Sequence, residues 1–111
     1  MVIKIAKVGS AAAIDFAAEE LKRCLSAMDS RADISILAFS DHDPKLSGLL
    51  WLGVCPQIAA QVADPTLDDS YRIDITDGVG AIRGSNPRSV LFGVYRFLKE
   101  LGCTWVRPGQ D

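Results

Sequence analysis

A chain of 111 residues, 49% apolar and 23% charged with a net charge of −2, can bury roughly 65% of its unfolded surface and build one core without metal or disulfide staples. That balance argues against disorder, and the lack of a cationic excess argues against a nucleic-acid partner. Apolar runs such as Gly48–Cys55 are far too short to cross a bilayer, and MVIKIAKVGS at the N-terminus has no apolar stretch of signal length, which leaves a cytoplasmic or a secreted parent protein equally open.

Val2–Val8 is rich in β-branched residues and stops at Gly9-Ser10, which predicts a strand. Ala11–Met28 carries Ile14, Ala17, Ala18, Leu21, Cys24, Leu25 and Met28 at helical spacing, so one face of a helix is apolar. Asp15, Glu19, Lys22 and Arg23 fall opposite; Glu19 and Arg23 are spaced for an i,i+4 pair, and Ser10 is the expected N-cap. Asp33–Phe39 reads as a second strand and residues 40–48 (SDHDPKLSG) as a loop. Leu49–Val54 is a short continuous apolar run, expected as a strand buried on both faces. Pro56–Ala63 is expected as a short helix, ended by Asp64-Pro65.

Tyr71–Thr76 alternates strictly, with Tyr71, Ile73 and Ile75 on one face and Arg72, Asp74 and Thr76 on the other. Asp77-Gly78 is a strong two-residue hairpin signal, so Ala81–Gly84 should return antiparallel. Ser85 or Asn86 caps the next helix and Pro87 opens it; Val90, Leu91, Val94, Phe97, Leu98 and Leu101 form its stripe. Gly102 suits a left-handed helix end, and Cys103–Val106 is a last strand. The sum is a single α+β domain over residues 1–111: one mixed sheet with at least one antiparallel hairpin and two main helices packed on one face.

Few residues point to chemistry. The cysteines, Cys24, Cys55 and Cys103, are odd in number and widely spaced, as buried small hydrophobes are. Val8-Gly9-Ser10-Ala11 lacks the further glycines of a phosphate loop. Asp41-His42-Asp43 is a solvated loop triplet rather than a metal site, and no cofactor is expected. Glycoside hydrolysis needs two carboxyl groups about 5–9.5 Å apart, and among Asp68, Asp69, Asp74, Asp77, Glu19, Glu20 and Glu100 no pair stands out; no catalytic residue is expected. The candidate binding residues are Arg88, in the first turn of a helix where it could hold an anion, and Trp105 and Arg107, which share a strand face and could form a sugar platform or a packing surface.

Residues 71–109 resemble the end of the N-terminal α+β domain that precedes the (β/α)8 barrel in several glycoside hydrolases. The pattern stands as Ala81-Ile82-Arg83-Gly84, then Asn86-Pro87-Arg88, then Leu91-Phe92-Gly93-Val94-Tyr95-Arg96-Phe97-Leu98, then Leu101-Gly102-Cys103-Thr104-Trp105. It is similar to the second domain of chitobiase and β-hexosaminidase and to the N-terminal domain of α-glucuronidases. Residues 1–70 share element order only, and Ser89 stands near where these families often carry glycine. The most telling residue is Gly93, because glycine inside a helix costs about 1 kcal/mol against alanine and implies a close helix–sheet approach. The resemblance implies a non-catalytic accessory domain, a piece of a larger protein whose C-terminal catalytic barrel is its partner and whose carbohydrate contacts come through that parent. The alternatives are a small anion- or carbohydrate-binding module centred on Ser85–Arg88, and a self-associating interaction domain.

Overall fold

The hydrophobic pattern resolves into eight elements among residues 2–43 and 45–101, which the computed structural model describes. They are β1 (Val2–Val8), α1 (Ala12–Met28), β2 (Asp33–Phe39), β3 (Leu50–Val54), α2 (Pro56–Ala59), β4 (Tyr71–Thr76), β5 (Val79–Gly84) and α3 (Pro87–Glu100). The strands form one sheet in the order β2-β1-β3-β5-β4. Three neighbouring pairs are parallel and the β4–β5 hairpin is antiparallel. The expected last strand at Cys103–Val106 and the helix end at Gly102 lie outside the described residues.

Strand alternation sorts the side chains. Ile3, Ile5, Ile34, Leu50, Leu52 and Ile82 point to one face, where Ile14, Leu21, Val90, Val94 and Leu98 of α1 and α3 cover them. Burying each such side chain contributes about 1.5–3 kcal/mol against exposure, so this layer is the core. A smaller cluster of Ala6, Leu49, Trp51 and Ala81, with Val8 and Phe39 beside it, lies on the opposite face. Both main helices therefore share one face, and the fold is α+β.

Several boundaries differ from the sequence expectation. α1 begins at Ala12 with Ala11 as N-cap and no side-chain cap, so Ser10 does not cap it. Arg23 bonds both carboxylate oxygens of Glu20 (2.9 and 3.0 Å), a three-residue spacing in place of the expected pair with Glu19. Glu20 is thereby held in a buried position beside the stripe. Met28 and Leu101, the ends of their stripes, are 45% and 44% exposed because they overhang the amino end of the sheet. β5 starts at Val79, two residues before the expected Ala81: the two-residue turn places Val79 opposite Thr76, and pairing runs from there. α2 stops at Ala59 rather than Ala63. Ile58 is its one buried residue, and so short a helix has little to offset the cost of nucleation.

The β2–β3 connection positions the candidate site. α1 links β1 to β2 over the helical face. Residues 40–43 and 45–49 then return across the opposite face, where the His42 ring meets the Trp51 ring edge-on at 4.6 Å. Changing face while reversing direction along the sheet keeps the hand of the crossover the same. The strand order thus reverses between β1 and β3, and open sheets form ligand crevices at the carboxyl ends of strands where such a reversal occurs.

Candidate functional site

Two polar regions flank the carboxyl edge of the sheet. The first is the start of α3. The Asn86 side chain accepts from the Ser89 backbone N–H (2.8 Å), and the Ser89 hydroxyl accepts from the Asn86 backbone N–H (3.1 Å), a complete capping box. Ser89 is thus the residue that closes the box. Gly84 is required just before it, because a Cβ there would overlap the Ser89 hydroxyl. The Asn86 amide also donates to the Pro65 carbonyl (2.8 Å) and to Asp69 (2.9 Å), tying the 64–70 loop to the helix.

Arg88 completes this tie. Its Nε donates to both Asp69 carboxylate oxygens (3.0 and 3.1 Å), its Nη2 lies 2.8 Å from Oδ1, and Nη2 also donates to the Thr66 carbonyl at 3.2 Å. Hydrogen bonds from Arg88 and then Asn86 hold the Asp69 carboxyl below the usual aspartate range, and the Arg88 guanidinium is correspondingly raised. An incoming anion at Arg88 would have to compete with Asp69 for the same donors. Trp105 and Arg107, the other two sequence-predicted binding residues, lie outside the described residues.

The remaining sequence candidates are dispersed. Asp43 accepts from the Lys45 backbone N–H, while His42 packs on Trp51; among the described residues no three His, Cys, Asp or Glu side chains are grouped to hold a metal. Asp68 accepts from the Asp64 backbone N–H (2.9 Å). Asp74 and Asp77 are exposed on the hairpin. An apolar groove of about 540 Å³ at the opposite, amino end of the parallel strands has Asp29 and Asp77 at its rim. Asp29 there accepts from the Arg31 backbone N–H (3.0 Å) as a turn residue.

The second region is an open depression of about 630 Å³ at the strand reversal, lined by Val8 of β1, Trp51 and Gly53 of β3, Gln57 of α2, Arg83 of β5 and His42 of the crossing loop. Asp41 and Cys55 complete its polar rim. At Gly53 a Cβ would stand 3.0 Å from the Val8 Cβ, so glycine here lets the Val8 side chain of the neighbouring strand approach closely. Trp51 forms the wall, 6% exposed, with its ring 5.0 Å from Phe39. Its indole N–H makes no hydrogen bond among the described residues. Gln57 accepts from the Cys55 thiol (3.1 Å), which leaves its amide N–H donors for other partners. Arg83 is exposed and directly opposite Arg72 across the β4–β5 pair.

Sequence reasoning missed this depression. Trp51 reads there as core, Gln57 as part of a short helix and Arg83 as a hairpin residue. One signal was available: a two-residue turn at 77 and 78 sets position 72 opposite 83, so two arginines meet on the face that carries no helices. Neither a protein-family model nor a curated protein matches this chain.

Proposed function

We propose that the chain is a non-catalytic accessory domain of a glycoside hydrolase-like protein, supporting a C-terminal (β/α)8 barrel. The observation that carries this reading is Gly93. It is the most distinctive residue of the resemblance over 71–109, and the packing explains it: a Cβ there would stand 2.6 Å from Ile82 Cγ2 and 3.3 Å from the Tyr71 ring. Gly84, the glycine that ends Ala81-Ile82-Arg83-Gly84, is fixed by the same helix–sheet junction. The pattern shared with the accessory domains is thus the pattern that seats α3 on β4 and β5. The dispersal of the carboxylates over turns, caps and an open hairpin face supports a role in support rather than in bond cleavage.

The test uses the pure chain. With aryl glycosides, including aryl glucuronides, the expected outcome is no turnover above buffer. Hydrolysis that copurifies with the chain through successive columns and scales with its concentration would reject the reading.

A further inference from the structure

We infer that the depression between the carboxyl ends of β1 and β3 binds a small organic oxyanion, a carboxylate or a phosphate ester, with Arg83 as its principal charge partner. This goes beyond an accessory role and stands or falls separately from it.

Three independent observations converge. The first is position: the depression lies where the strand order reverses, between β1 and β3, at the carboxyl ends of those strands. The second is donor chemistry. The Trp51 indole N–H has no acceptor among the described residues. Gln57 has its Oε1 engaged by Cys55, so the amide faces incoming groups as a donor. Arg83 makes no side-chain hydrogen bond or ion pair among the described residues. Three side chains thus offer N–H groups, and none of the three N–H groups has a partner among the described residues.

The third is charge. Arg72 and Arg83 are cross-strand neighbours, and among the described residues neither makes a side-chain ion pair. Like charges directly opposite one another destabilise a sheet. The chain nonetheless forms close ion pairs elsewhere, at Lys7–Asp15, Arg88–Asp69 and Arg96–Glu100. An anion seated against Arg83 relieves this repulsion and gives the bidentate geometry that guanidinium prefers. Asp41 at the rim selects within the class: it accepts from a ligand hydroxyl and disfavours a second negative charge near it.

The experiment is a titration of the isotope-labelled chain with glycerate and with glycerol 3-phosphate, and with glycerol as the neutral control, at constant ionic strength. The readout is the assigned Trp51 indole N–H resonance. The expected result is saturable movement with one or both anions, at a dissociation constant of about 1 mM, and none with glycerol. The anion that saturates identifies carboxylate or phosphate as the ligand chemistry. Arg83→Gln should weaken binding by about tenfold or more, whereas Lys22→Gln, on the outer face of α1, should bind as the parent does. Because Arg83→Gln removes a like-charge contact, it should also melt at or above the parent temperature. The absence of saturable movement with both anions, undiminished binding by Arg83→Gln, or a lower melting temperature for that variant would each overturn the inference.

Discussion

Arg88 and Arg83 begin from the same chemistry and end differently. Arg88 stands one residue past a proline-opened helix start, and a loop carboxylate comes to it; Arg83 points from an open sheet face, where its nearest cross-strand neighbour is another arginine. The Arg88 pair carries a pH signature. Arg88, then Asn86, depress the folded-state pKa of Asp69, while an unfolded aspartate titrates near about 3.9. The folded state therefore holds its proton less tightly than the unfolded state does. The stabilisation is fully present above the unfolded value and is lost as pH falls through the depressed one. Asp69→Asn should melt below the parent at neutral pH, and the gap should close under acid, below about pH 4. Asp64, also depressed, chiefly by its hydrogen bonds from Thr66, titrates in both proteins and cancels in the comparison. A melting gap unchanged down to pH 2 would contradict this account of Asp69.

At the scale of elements, the contact of α3 with the hairpin is the tightest constraint. In an exposed helix, exchanging glycine for alanine stabilises by about 1 kcal/mol. At Gly93 the added methyl meets Ile82, which is fully buried and β-branched, and the Tyr71 ring. Overpacking of this kind typically costs about 1–3 kcal/mol. Gly93→Ala is therefore expected to lower the urea midpoint without changing the slope, and a raised midpoint would show that the helix can lift away freely. The elements themselves were largely legible. The α1 stripe, the Asp33–Phe39 strand, the alternation of Tyr71–Thr76 and the Asp77-Gly78 turn, with φ of 54° and 79°, all follow from local spacing and turn chemistry. The cap was legible as Ser85 or Asn86, and the structure selects Asn86 because Ser89 reciprocates; the Ser85 hydroxyl instead donates to the Asp68 carbonyl. What local spacing could not convey was the length of α2, which has too few core contacts to continue, and the strand order. The depression draws on residues 8, 41–42, 51–57 and 83. Those four segments meet only because β3 lies between β1 and β5, a tertiary outcome with no periodic trace.

For the whole molecule, asymmetry between the two sheet faces is the organising fact. One face is closed by two amphipathic helices. The other carries a small apolar cluster, a crossing loop, two opposed arginines and the depression at the strand reversal. Among the described residues no helix is long and apolar enough to cross a membrane. The proposed accessory role assigns bond cleavage to a separate catalytic domain. Intact-mass analysis of the protein purified from its natural source tests that role most directly. The account predicts that residues 71–109 belong to a chain longer by about 250 residues of alternating strand and helix, with a mass far above 12.0 kDa. A mature protein of 12.0 kDa, carrying these residues and nothing more, would contradict it.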